Sequence, residues 1–266
     1  MAGPVPSTSF PRVVAHRGWH ALDGPFENSL AAFRAAIDKG VDAVELDIHR
    51  TRDQVLIAAH DPHLPDGRAF ADLDYAQLPL LPDGQSYTRI SEVADLARER
   101  GAKLSVELKE GGYEQQVLDE LLSRMPREQL ELISFNRTAL RTIDELAPDV
   151  RTGLLEPSLP GWLRKTALYP AALWVMDKLD WHPSLRAAAK VGADFVSVNE
   201  PMATKKFLSA AREQGVHVDV WTVDDPRRMA ELVRDGAGGI VSDRPDLALA
   251  LRPAPLPAAP PLAATA

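Results

Sequence analysis

Four short stretches of this 266-residue chain place side chains together that can do chemistry. His16-Arg17-Gly18 offers an imidazole that can give or take a proton near neutral pH, and a guanidinium whose fork of donors suits a phosphate. Glu45-Leu46-Asp47 spaces two carboxylates two residues apart, so on a strand they point to one face. Side by side they repel unless a cation lies between them, and their oxygens suit a hard divalent metal. His60-Asp61 supplies a second imidazole. Glu107-Leu108-Lys109 repeats the spacing and adds a third carboxylate and an ammonium. Each stretch alone has a plainer reading: a structural histidine, solvated carboxylates, a surface ion pair. The apolar flanks Val44, Leu46 and Ile48 bury the strand that carries Glu45 and Asp47, which argues against solvated carboxylates. Two imidazoles beside paired acids point to acid/base work.

The elements that must position these groups alternate between strand and helix. Strand-like runs cover 13–15, 43–48, 55–59, 103–108, 130–135, 152–155, 195–198, 216–222 and 239–241. Helical runs cover 29–39, 92–99, 113–124, 138–146, a stretch ending at 214, 226–234 and 246–251. Asn28 or Ser29 is of the type that caps the first helix. Repeated strand–helix units with apolar strands predict a parallel sheet wrapped in helices, and about eight units predict a closed (β/α)8 TIM barrel. An open doubly wound sheet is the runner-up, weakened because no Gly-rich phosphate loop follows the first strand. The barrel domain spans 12–252, after an N-terminal extension at 1–11. A short insertion rich in Pro, Asp and Gly occupies about 61–88, after the second strand unit. The Pro/Ala-rich tail at 253–266 is expected to be disordered.

Composition narrows the partners. With no cysteine, thiolate metal sites, disulfides and cysteine nucleophiles are excluded. A net charge of −8 argues against nucleic acid and against general attraction to anionic lipid. An anionic substrate would need positive charge gathered locally, as Arg17 and Lys109 could supply. The start carries no secretory apolar run, and a cytoplasmic location is expected. Between 157 and 181, Trp162, Tyr169, Trp174 and Trp181 sit at helical spacing. They read as an outer barrel helix, with a lipid-facing cap giving peripheral membrane contact as the sharper alternative. Oligomeric state is not legible.

In order along the chain, His16-Arg17-Gly18, Glu27-Asn28-Ser29, Glu45-x-Asp47, Thr51-x-Asp53, His60-Asp61-Pro62 and Glu107-x-Lys109 resemble the successive motifs of glycerophosphodiester phosphodiesterases. Ser134-Phe135-Asn136, the run Val220-Trp221-Thr222-Val223-Asp224 and the run from Gly239 to Pro245 are similar to the family's later strand ends. The likeness covers roughly 12–251. It departs at Phe26 and Ser29, where the family usually has Pro and Thr.

The resemblance implies a TIM barrel, one divalent cation (Ca²⁺, Mg²⁺ or Mn²⁺), and hydrolysis of a glycerophosphodiester to glycerol 3-phosphate and an alcohol. Glu45, Asp47 and Glu107 would ligate the metal. His16 and His60 would form an unordered acid/base pair. Arg17 and Lys109 would hold phosphoryl oxygens. Trp221 would pack on the glycerol or head group, and Glu27 would stand just outside the metal ligands or contact the metal. Asp243 would hydrogen-bond to the site or, the favoured reading, cap the last helix. Lysophospholipids are an alternative substrate, and a non-catalytic binder of phosphorylated ligands an alternative function.

Overall fold

Nearly continuous apolar runs form strands buried on both faces, the condition of a parallel sheet covered by helices. The structure, a computed structural model, describes residues 10–20, 24–156, 166, 168, 171–172, 175 and 183–253. Trp162, Tyr169, Trp174 and Trp181, most of the N-terminal extension and nearly all of the tail lie outside the described residues.

The strands are β1 (Arg12–Ala15), β2 (Ala43–Arg50), β3 (Leu56–Ala58), β4 (Leu104–Leu108), β5 (Leu130–Ser134), β6 (Arg151–Glu156), β7 (Phe195–Asn199), β8 (His217–Trp221) and β9 (Gly239–Ser242). All but β3 run parallel, and β1 pairs with both β2 and β9, so the sheet closes into a (β/α)8 barrel. β3 lies antiparallel on β2. Asp47 pairs in register with Glu107, and Glu45 with Ser105, which brings the three carboxylates of β2 and β4 to one end of the barrel.

Among the described residues, the helices are α1 (Leu30–Asp38), α2 (Ile90–Arg100), α3 (Glu114–Leu122), α4 (Arg137–Leu146), α5 (Pro183–Val191), α6 (Lys205–Glu213), α7 (Pro226–Asp235) and α8 (Pro245–Ala250). Their apolar faces pack on the outside of the sheet in one continuous core that includes Phe33, Leu46, Leu104, Leu132 and Ile240. None of them is long and apolar enough to cross a membrane.

The insertion is more than a loop. After β3 it folds into two short turns of 3₁₀ helix, and Ile57, Leu64, Phe70 and Leu73 form a satellite core. Tyr75 Oη donates to the Tyr87 carbonyl at 2.7 Å, and the Phe70 ring meets Tyr87 edge-on. This body steadies β3, whose end carries His60.

The opposite end of the barrel is closed by charge. Arg12 Nη1 donates to Glu131 Oε2 at 2.6 Å, its Nε donates to Asp219 Oδ1 at 3.1 Å, and Arg151 also pairs with Glu131. Both guanidinium groups lie over the Phe195 ring. A buried ion cluster holds only if its members satisfy one another, and this one joins β1, β5, β6 and β8 across the lumen.

Candidate active site

The mouth is assembled from the carboxyl ends of strands, where barrels of this architecture carry their chemistry. The turn after β1 sets the first groups. Gly18 has φ +83°, and a Cβ there would lie 2.7 Å from the Ala32 carbonyl carbon, so only glycine lets α1 approach. Arg17 and Asn28 also take positive φ, of 55° and 56°. The Asn28 N–H donates to the Arg17 carbonyl at 3.0 Å, and the Arg17 N–H to Glu45 Oε2 at 2.9 Å. These bonds hold a conformation that non-glycine residues adopt at a cost.

That turn settles the capping question. Ser29 caps α1, accepting from the Ala32 N–H. Asn28 is turned inward instead, donating from Nδ2 to Asp47 Oδ2 at 3.0 Å and accepting from the Asp47 N–H.

Glu45, Asp47 and Glu107 are 4%, 1% and 6% exposed, and an oxygen of each lies within 4.8 Å of the others. Arg17 Nε is 3.2 Å from Asp47 Oδ2, and Lys109 Nζ is 2.6 Å from Asp47 Oδ1 and 2.9 Å from Glu107 Oε1. The ammonium is in ionic contact but off the hydrogen-bond direction, and Asp47 Oδ1 and Glu107 Oε1 have no hydrogen-bond partner among the described residues.

The charges do not balance. Burial and then the Asp47 charge push Glu45 up to about 7. Burial, opposed by Lys109 and reinforced by Asp47 and Glu45, pushes Glu107 up to about 8. Burial works on Asp47 too, but Lys109 and Arg17 outweigh it and hold that carboxyl below its ordinary value. Three clustered oxygen donors, two of them resisting ionisation, fit a hard divalent cation.

The two imidazoles flank this triad. His16 Nδ1 donates to Asp243 Oδ1 at 2.6 Å, and His20 Nε2 lies 3.3 Å from the same oxygen. Burial would lower His16, but the bond to Asp243 and the Glu45 charge prevail and raise it. Burial also works against the Asp243 carboxylate, yet the bonds from His16 and His20 hold it well below the usual range. Asp243 is therefore not the helix cap expected of it. Position 244 stands at the start of α8 without a side-chain cap, and the Asp243 carboxylate is turned across to β1. His60 is more open, and burial together with Arg17 lowers it. Its backbone carbonyl accepts from His49 Nε2 at 3.2 Å, while His49 Nδ1 meets Glu110 Oε1 at 3.1 Å.

Glu27 stands outside the triad, with Oε2 3.1 Å from Arg17 Nη1. Trp221 lines the mouth and meets the Phe135 ring edge-on at 5.9 Å between centroids. His16, Arg17, Glu45, His60, Glu107, Lys109 and Trp221 share one cavity of about 240 Å³. Asp243, Asn28, His20 and His49 were missed as site residues. Asn28, beside Glu27, and Asp243, in the run from Gly239 to Pro245, lay within stretches already singled out.

The sequence profile described as the glycerophosphoryl diester phosphodiesterase family matches residues 16–247. A glycerophosphodiester phosphodiesterase of Caldanaerobacter subterraneus subsp. tengcongensis is 27% identical over 252 residues, covering 88% of this chain and 94% of that protein. A crystal structure of a glycerophosphodiester phosphodiesterase from Parabacteroides distasonis has a TM-score of 0.76 at 21% identity, covering 91% of this chain and 96% of the other. An Oleispira antarctica phosphodiesterase, solved with the product sn-glycerol 3-phosphate, has a TM-score of 0.73 at 22% identity, covering 91% and 96%. At these identities the structures speak for the fold.

Proposed function

Because the chain belongs to the glycerophosphoryl diester phosphodiesterase family, we propose that it hydrolyses glycerophosphodiesters to glycerol 3-phosphate and an alcohol. In this reading Glu45, Asp47 and Glu107 hold one divalent cation (Ca²⁺, Mg²⁺ or Mn²⁺), and His16 and His60 are the acid/base pair. The observation that carries it is the grouping of a buried three-carboxylate cluster, two imidazoles and two cationic side chains around one cavity. The Oleispira antarctica phosphodiesterase of the same fold was solved with sn-glycerol 3-phosphate, the product that this reading expects.

When bound, the cation would draw negative charge from the diester's non-bridging oxygens. Arg17 and Lys109 take a share of that charge and orient the phosphate. His16 takes the proton of the incoming hydroxyl, which comes from water or from the neighbouring carbon of the glycerol; the second route leaves a cyclic phosphate, and water must then open it to glycerol 3-phosphate. As the new P–O bond forms, the Asp243 carboxylate stabilises the imidazolium, the role of the third member in a hydrolytic triad. His60 gives a proton to the departing alcohol as its P–O bond breaks. This division rests on exposure and on the partner behind each ring: the His16 side chain is 16% exposed and backed by Asp243, whereas that of His60 is 39% exposed and nearer the solvent into which the alcohol leaves. Proton transfer of this kind contributes about 10²–10⁴-fold in rate for each group.

Release of glycerol 3-phosphate from glycerophosphocholine and related diesters, with and without chelator, tests the reading. Metal-dependent release is expected. An absence of turnover on every glycerophosphodiester and lysophospholipid, with metal supplied, would sink it.

A further inference from the structure

The face of β2 that carries Glu45 and Asp47 continues to His49, two residues further along the strand. His49 is a buried imidazole, 3% exposed, and it does not line the cavity. Its Nε2 donates to the His60 carbonyl at 3.2 Å, since a carbonyl oxygen can only accept. Its Nδ1 meets Glu110 Oε1 at 3.1 Å, just past the end of β4. Its ring meets Phe70 of the insertion at 6.1 Å between centroids, tilted by 34°. One side chain thus joins β2, the segment leaving β3, the exit of β4 and the insertion.

His60 needs such a tie. The ladder between β2 and β3 ends where the Ala59 N–H donates to the Asp47 carbonyl at 3.0 Å. The Asp47 N–H does not return that bond, because it donates to Asn28 Oδ1. His60 is the first residue past the ladder, and among the described residues no backbone group bonds its N–H or its carbonyl. The chain is next held at Pro62, whose carbonyl accepts from the Phe70 N–H at 3.0 Å. The His60 ring has one partner of its own, Asp61, with Oδ1 2.9 Å from Nδ1. That carboxylate is 78% exposed, where an ion pair contributes little. The bond from His49 is therefore what fixes the peptide beside the His60 Cα. Such fixing matters, because a shift of about 1 Å in a reacting group can cost about 10²-fold in rate.

A buried histidine paired at both ring nitrogens could serve the fold alone. Two observations point further. The acceptor of its Nε2 belongs to one of the two imidazoles at the mouth. Its own backbone belongs to the strand that carries two of the three triad carboxylates. One strand face thereby sets both the carboxylates and the place of His60 relative to them.

We propose that His49 is a positioning residue for His60. Glu110 holds the His49 ring, and His49 holds the His60 peptide, so that the His60 imidazole is aimed at the scissile phosphate. His49 itself touches no substrate. This rests on the phosphodiesterase reading given above and adds to it a residue that acts only through His60.

The test measures kcat and KM on glycerophosphocholine and on glycerol p-nitrophenyl phosphate, with metal supplied and thermal melts to confirm folding. The proteins are the wild type, His49→Leu, His49→Gln, Glu110→Ala, His60→Ala and the double variant of His49→Leu with His60→Ala. Leucine keeps the bulk and removes both ring nitrogens, whereas glutamine keeps a donor near the place of Nε2. His49→Leu should lower kcat on glycerophosphocholine about 10- to 100-fold with KM nearly unchanged. Its loss should depend on the leaving group as the loss in His60→Ala does, whichever way that runs. In the His60→Ala background it should cost nothing more. His49→Gln should regain most of the activity. Glu110→Ala, at a half-exposed position that the fold tolerates, should lose about 3-fold in the same pattern. A merely structural role would instead give equal losses on both diesters and in both backgrounds, and that result overturns the proposal. So does wild-type turnover by folded His49→Leu. If His49→Leu does not fold, wild-type kcat in Glu110→Ala overturns it. Failure of the wild type on both diesters would bring down the phosphodiesterase reading, and the role of His49 with it.

Discussion

His16 and Asp243 stand 227 positions apart in the chain, yet Nδ1 of one and Oδ1 of the other meet at 2.6 Å. Closure of the barrel makes this contact, because β9 pairs with β1 in register from Arg12↔Gly239 to Ala15↔Ser242, one step short of these two residues. The bond fixes the tautomer of His16, leaving Nε2 to face the cavity.

A pH profile should expose that bond. Catalysis by this pair needs one imidazole protonated and one neutral, whichever gives and whichever takes the proton. Activity is then confined between the lower value, set by His60, and the higher value, set by His16. Asp243→Asn removes the bond and the charge that raise His16. The alkaline limb of kcat/KM should move to lower pH while the acidic limb stays, and kcat should fall about 10²-fold. An unmoved alkaline limb would remove Asp243 from the mechanism.

Leaving-group chemistry should separate the imidazoles. His16→Ala and His60→Ala are each expected to lower turnover of glycerophosphocholine by about 10²–10⁴-fold with unchanged melting temperatures. With glycerol p-nitrophenyl phosphate the departing phenolate needs no proton. His60→Ala should then recover most of the loss and His16→Ala none. Rescue of His16→Ala instead would reverse the assignment.

The barrel and the carboxylate triad are legible in the sequence, for physical reasons. Strands buried on both faces read as apolar runs, and the two-residue spacing of Glu45 with Asp47 and of Glu107 with Lys109 puts each pair on one strand face. What joins distant strand ends was not legible. Asp243 looked like a helix cap because local sequence shows only the helix that follows it. Asn28 looked like a cap because its side-chain type suits one. Its positive φ, a property of the packed turn, sends it to Asp47 and leaves the cap to Ser29.

Metal binding should register in stability as well as activity. Two of the three triad carboxyls are pushed to about 7 and about 8 without a cation, so bringing in a dication relieves their repulsion. At about 100 times its dissociation constant the ion should stabilise the fold by roughly 2.7 kcal/mol. Thermal melts with chelator and with added Mn²⁺, Mg²⁺ or Ca²⁺ measure this. Glu107→Gln should lose most of the stabilisation, together with activity at limiting metal. A full metal-induced shift in that variant would exclude Glu107 as a ligand.

The far end of the barrel should carry a stability term independent of the active site. Arg12 is the shared partner of Glu131 and Asp219. Arg12→Met keeps much of the bulk but strands charge in the lumen, so it should cost about 3–5 kcal/mol in urea unfolding. The pH dependence follows from the sign of the shift. Burial opposes the Asp219 charge, but Arg12 and then His217 hold that carboxyl below its ordinary value. Its contribution is complete above the unfolded value and fades as pH falls toward the folded one. The deficit of Arg12→Met should therefore be widest near neutrality and narrow between about pH 4 and pH 3. Unfolding curves of both proteins across that range decide the matter: a deficit that stays constant with pH would assign the loss to packing against Phe195 rather than to the ion cluster.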